Sequence, residues 1–148
     1  MKRLSISLTA ALALIVLCGG RADAACTISV TGVSFGSYDV FAAAPLDSTG
    51  TVTIECNKML QVILTRGSSS SFTPRTMRSG ALEILDYNLY LDAARTVIWG
   101  DGSSGTQLYS KSNSGNNAFS VTVYGRVPAG RDVSAGSYSD TVTVTMNF

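Results

Sequence analysis

Residues 136–148 (GSYSDTVTVTMNF) constrain this chain more than any other stretch. Val142, Val144, Met146 and Phe148 alternate with Thr141, Thr143, Thr145 and Asn147. Period two with β-branched residues specifies a strand with one apolar face and one hydroxyl face. Gly136, Ser137 and Ser139 supply a turn-rich approach to it. A regular apolar strand at the end of a sequence has to be tied into a sheet, because termini otherwise fray. Its unpaired edge is a template for another strand. The sequence therefore poses the question of how that edge is covered.

Composition narrows the answer. A length of 148 residues predicts one domain. The 14 glycines, the abundant Ser and Thr, and the lack of a long 3.6-period segment after the N-terminal run predict an all-β chain. Charged residues make up 14 % and the formal net charge is +1, so there is no electrostatic case for nucleic acid or anionic lipid as partner.

Residues 1–24 read as a secretory signal peptide. Lys2 and Arg3 form its charged region, residues 8–17 (LTAALALIVL) its apolar region, and Ala22, Asp23 and Ala24 a small-x-small cleavage site. The apolar run is too short to span a bilayer, so no membrane insertion is expected. A lipoprotein signal cut before Cys18 is disfavoured, because Leu17 stands where a small residue is needed. The remaining domain, residues 25–148, keeps eight basic and nine acidic residues once Lys2, Arg3, Arg21 and Asp23 are set aside.

That domain retains two cysteines, Cys26 and Cys56. An even pair in an exported chain is a disulfide candidate. Cys26 alternates in phase with Ile28 and Val30, and Cys56 with Val52 and Ile54, so both thiols are expected on the buried faces of their strands. The alternative is two buried free thiols. No CxxC is present to suggest redox chemistry.

Further strands are expected around Leu60, Val62 and Leu64, along residues 82–91 (LEILDYNLYL), and from Phe119 through Val121 and Val123. Residues 31–50 are expected to connect the first two strands, with Pro45 arguing against a central strand there and Phe35, Tyr38 and Phe41 capping one end of a sandwich. Residues 72–80 (FTPRTMRSG) are expected as a short edge strand, with Arg75 and Arg78 solvated. Short strands at this spacing with turn signals between them predict a β-sandwich.

Catalytic chemistry finds little support. Histidine is absent, which removes His-based triads and His metal sites, and no GxSxG elbow occurs. Glu83 and Asp86 fall on opposite faces of one strand. Asp86 and Asp92 flank a turn and are expected to be solvated or paired with Arg95. Asp101 in GDGSSG lacks the spacing of a calcium loop and reads as a turn. No enzyme activity, cofactor or metal is expected.

Residues 87–102 (YNLYLDAARTVIWGDG), 124–126 (YGR) and 136–148, together with Cys26 at the start and Cys56 closing the second strand, resemble the spore coat protein U domain family. That family includes pilin and tip-adhesin domains of the archaic, Csu-type chaperone–usher pili. The resemblance covers essentially all of residues 25–148. It implies an immunoglobulin-like β-sandwich that lacks its final strand. It further implies that the vacant groove is filled first by a periplasmic chaperone and later by an extension of the next subunit, the assembly passing through an outer-membrane usher. On this resemblance Val142, Val144, Met146 and Phe148 form the partner-binding strand. One feature departs from the polymerising pilins, which carry a donor segment ahead of the first cysteine: only Ala25 separates the expected cleavage site from Cys26. The chain is thus expected to accept a strand without donating one. The resemblance implies a secreted structural subunit of a surface pilus or spore coat, in the periplasm while in transit. The competing expectation is a self-contained secreted binding module, for surfaces or carbohydrate, that uses loop aromatics such as Trp99 and Tyr109.

Overall fold

Period-two alternation becomes two antiparallel sheets. The computed structural model describes residues 26–112 and 117–148; the expected signal peptide, residues 1–24, lies outside the described residues. In chain order the strands are β1 (Thr27–Thr31), β2 (Leu46–Glu55), β3 (Leu60–Leu64), β4 (Arg75–Ser79), β5 (Glu83–Tyr90), β6 (Tyr109–Lys111), β7 (Phe119–Val127) and β8 (Val144–Asn147). One sheet has five strands in the order β1-β2-β7-β5-β4, and the other has three in the order β6-β3-β8. The only helical element among the described residues is a short turn at Gly67–Ser69.

Register puts like with like. Val52 lies opposite Val30 and Val121, and Ile54 opposite Ile28 and Phe119. The alternate positions pair Thr51 with Thr31 and Thr122, and Thr53 with Ser29 and Ser120, giving the outer face its hydroxyls. Cross-strand pairing of this kind stabilises a sheet by its side chains as well as its ladder. The inner faces meet in a core that includes Val52, Ile54, Leu60, Val62, Leu64, Leu85, Val121 and Val127. A disulfide joins Cys26 to Cys56, whose Cα atoms are 4.4 Å apart. It ties the start of β1 to the end of β2. Closing a loop of 30 residues contributes roughly 3.5 kcal/mol on the chain-entropy view.

Several expectations need correction. β2 begins at Leu46, directly after Pro45, so the last quarter of the expected 31–50 connection is strand. Proline is tolerated there because it precedes the ladder. Phe41 is 92 % exposed and caps nothing. Arg95 does not pair with Asp86 or Asp92. Its Nε lies 3.2 Å from Asp47, Asp86 pairs with Arg131 at 3.1 Å, and Asp92 accepts from the Thr96 and Val97 amides.

The largest correction is Arg75, which was expected to be solvated and is fully buried. β4 is an edge strand as expected, yet Arg75 shares the inner face of that strand with Met77. Its guanidinium donates to the Thr65 carbonyl through Nε and Nη2, to the Trp99 carbonyl through Nη2 and to Asn88 Oδ1 through Nη1. Phe72 lies against it, with the guanidinium carbon 5.0 Å from the ring centroid. Burial lowers its pKa, opposed by the carboxylate charges of Asp140 and Asp101. A guanidinium keeps its proton nonetheless. The burial is tolerated because its donors meet carbonyls and an amide instead of water.

Candidate functional site

The two sheets do not close on each other. β8 pairs with β3 on one side, and among the described residues no strand covers its other edge. Beside that edge opens a groove of about 1190 Å³. Residues 30–41 form one wall and residues 133–142 with Val144 the other, while Leu64, Leu85, Tyr87, Leu89, Val123 and Val127 contribute to the floor. The floor draws on both sheets, so an apolar core is reached from outside along this seam. Val30 shows the effect. It shares the phase of Cys26 and Ile28, as expected, yet it is 51 % exposed because it faces the open groove.

The four alternating apolar residues separate in space. Val142 and Val144 line the groove. Met146 is half-buried against the core. Phe148 is 60 % exposed, with Lys58 Nζ 5.5 Å from its ring centroid. Regular strand covers only Val144–Asn147, and the preceding residues cross from one sheet to the other.

Each wall has its own anchor. Val33 and Phe35 of the first wall sit over two glycines in neighbouring strands. A Cβ at Gly125 would lie 2.7 Å from Val33 and 2.8 Å from Phe35; one at Gly50 would lie 2.6 Å from the Thr31 carbonyl. The missing side chains therefore make the seat for that wall. Phe35 also meets Tyr87 edge-on, ring centroids 6.0 Å apart. In the second wall, Asp140 accepts from the Tyr87 hydroxyl at 2.6 Å and from the Ser68 and Thr141 amides at 2.8 Å each. Burial raises the pKa of Tyr87, and its bond to Asp140 adds to the rise, so the phenol stays protonated. Burial opposes ionisation of Asp140, but hydrogen bonds from Tyr87 and Ser68 outweigh it and hold the carboxyl below its usual value. Tyr38 joins the walls. Its hydroxyl donates to the Pro128 carbonyl and accepts from the Arg131 amide, both at 2.8 Å.

The loop aromatics are not free to bind a ligand as the alternative required. Trp99 is fully buried, its Nε1 donating to the Val62 carbonyl at 3.0 Å. Its backbone extends the ladder of β5 beyond the end of β4, which turns the indole inward. Tyr109 is half-buried between Trp99 and Phe119. Asp101 bonds to Ser103 and closes a turn. Among the described residues, no group of three or more His, Cys, Asp or Glu side chains is placed to hold a metal ion, and no helix is long and apolar enough to cross a membrane.

Sequence reasoning missed Gly50, Gly125, Asp140 and the inward turn of Arg75. A signal existed for three of them. Glycine inside a strand pattern marks a close approach, and Arg75 stands two residues from Met77, on one face of a strand.

Comparison with known proteins agrees with this geometry. Protein U of Myxococcus xanthus is 34 % identical over 130 residues, covering 78 % of this chain and 71 % of that protein. A chain in the crystal structure of the CsuC–CsuE chaperone–tip adhesion subunit pre-assembly complex, from the archaic chaperone–usher Csu pili of Acinetobacter baumannii, superimposes with a TM-score of 0.59 at 27 % identity. The match covers 84 % of the present chain but only 40 % of that one. A chaperone–usher pilus structure shares the fold, with a TM-score of 0.51 at 13 % identity over 97 % of this chain and 99 % of that one. The family model for the Spore Coat Protein U domain matches residues 15–145, and the chain belongs to that family.

Proposed function

We propose that this chain is an exported structural subunit of a surface pilus or outer coat, and that it receives a β-strand from a partner along the free edge of β8. One observation carries the reading: among the described residues one edge of β8 has no strand partner, and it borders a groove of about 1190 Å³ whose floor is the core itself. A strand laid there gains main-chain hydrogen bonds from β8 and fills the groove with alternate side chains. Val142 and Val144 face such a strand, and Met146 and Phe148 extend its track toward the end of the chain. The partner in transit is a periplasmic chaperone, and in the assembly a neighbouring subunit delivered through an outer-membrane usher. The similarity to a chain of a chaperone–tip adhesion subunit complex supports this partner class. Residues 1–24 direct export, residues 25–148 form the assembling domain, and the Cys26–Cys56 disulfide suits an oxidising compartment. The role is structural, with no catalytic step and no cofactor.

The test is periplasmic expression of residues 25–148 with and without an archaic-type chaperone, followed by size-exclusion chromatography. The expected result is a one-to-one complex with the chaperone, and without it a lower yield of soluble subunit that still folds. A monomer that forms no complex with the chaperone would overturn the proposal.

A further inference from the structure

We propose that residues 130–139 form a hinged strap across the acceptor groove, which lifts from β4 and β5 to admit a partner strand and closes over it afterwards. This rests on the strand-acceptor reading above. The strap's two ends differ. Gly130 adopts φ +69°, a conformation suited to a hinge glycine, two residues after Pro128, whose carbonyl accepts from Tyr38; at the far end Asp140 is fixed by Tyr87, Ser68 and Thr141. Between them the attachments are of another kind. A single residue pair, Arg78 with Ser139, exchanges backbone hydrogen bonds, at 2.9 and 3.0 Å. Val133 and Tyr138 also rest against the core, the Arg131 amide donates to the Tyr38 hydroxyl at 2.8 Å and the Ser134 amide to Glu83 at 3.4 Å; the remaining attachments are side-chain contacts to two carboxylates of β5. Arg131 Nη2 lies 3.1 Å from Asp86, the Ser134 hydroxyl donates to Glu83 at 3.0 Å, and the Tyr138 hydroxyl donates to Glu83 at 3.3 Å.

Those contacts face water. The Arg131 side chain is 47 % exposed, and ion pairs of that kind contribute little. The groove runs under the strap, because Met77 and Leu85 of the sheet line it together with Val133, Ala135 and Tyr138 of the strap. A side chain seated on Met77 and Leu85 therefore lies beneath it. A segment that is hinged at one end, anchored at the other, held between them mostly by exposed contacts and positioned over an apolar floor has the mechanics of a lid.

The strap can be locked. A Cβ at Gly136 would lie 3.4 Å from the Ser79 Cβ, close to the spacing of a disulfide. The test uses residues 25–148 carrying Ser79→Cys and Gly136→Cys, compared oxidised and after mild reduction that spares the buried Cys56. The probe is a fluorescent ten-residue peptide alternating valine with threonine, followed by anisotropy. The reduced form is expected to capture it at the wild-type rate and the oxidised form at least ten-fold more slowly. Equal rates in the two forms would overturn the strap. A second variant, Glu83→Gln, leaves the groove lining untouched and is expected to speed capture two- to five-fold; an unchanged rate would count against the strap. If no form captures the peptide, the acceptor reading fails, and amide exchange then decides the strap alone. Ser139 exchanging ten-fold faster in the reduced than in the oxidised form supports it, and equal exchange overturns it.

Discussion

Arg75 donates to the Trp99 carbonyl at 2.6 Å, and both side chains are fully buried. Through this contact and those to Thr65 and Asn88, one guanidinium joins the five-stranded sheet to the end of β3 and to the segment that carries Trp99. Replacing Arg75 with Met leaves the buried Trp99 carbonyl without this donor, whereas Asn88 Oδ1 keeps the Leu89 amide and Thr65 is exposed to water. A buried acceptor left unpaired costs about 1–3 kcal/mol, so Arg75→Met is expected to lose about that much. Arg75→Lys keeps the charge but not the fork, and is expected to lose less. Urea unfolding measures both; a Met variant as stable as the wild type would show that the guanidinium is dispensable.

Gly125 seats the first wall of the groove. Gly125→Ala places a methyl group 2.7 Å from Val33 and 2.8 Å from Phe35, and is expected to destabilise by about 1–3 kcal/mol through overpacking. Gly32→Ala meets nothing within 4 Å and is expected to stay within about 0.5 kcal/mol of wild type. Thermal unfolding of the pair separates a seat for the wall from a general intolerance of alanine in this region.

Val144 and Thr145 are neighbours on opposite faces of β8. Val144 lines the groove, whereas Thr145 is exposed. Val144→Asp is expected to abolish a stable complex with a chaperone while export of the precursor continues. Thr145→Asp is expected to leave the complex intact. Pull-down of each variant from periplasm reads the difference, and equal yields would remove β8 from the interface.

Acidification should weaken the fold. The Asp47 carboxyl sits below its ordinary value of 3.8, chiefly because Arg126 donates to it through Nε and Nη2 at 2.7 and 2.8 Å. Asp92 is lowered first by the Val97 amide, Asp101 by the Ser103 hydroxyl, and Glu83 by the Ser134 hydroxyl from its ordinary 4.5. Carboxyls depressed in the folded state contribute stability that is present above their unfolded values and lost as pH falls through the folded ones. The urea midpoint is therefore expected to hold between about pH 7 and 5 and to fall below about pH 4. Asp47→Asn should flatten part of that fall. A midpoint that rises on acidification would contradict the assignment.

Alternation made the strands legible. Val52 and Ile54, Leu60, Val62 and Leu64, Leu85, Tyr87 and Leu89, and Val121 and Val123 all turn inward as period two requires, because each sheet has only one face to bury. The disulfide partners were legible for the same reason, being in phase with buried neighbours. Val144 and Met146 likewise point inward on the strand with which the sequence ends.

Periodicity fixes which way a side chain points, and it is silent on what it meets. Nothing in FTPRTMRSG says that carbonyls of Thr65 and Trp99 wait for Arg75, since those residues come from the opposite sheet and a distant connection. Trp99 turns inward because its backbone adds to β5, a pairing set by where β4 ends. The groove arises in the same way. Its walls are separated by about a hundred residues and meet only because Val33 and Phe35 settle over Gly125 and because Tyr38 bonds to Pro128 and Arg131. The sequence by itself determined the strands, their buried faces and the disulfide pair. Only the tertiary structure decided that the two sheets leave a seam open, because that depends on contacts between segments far apart in the chain.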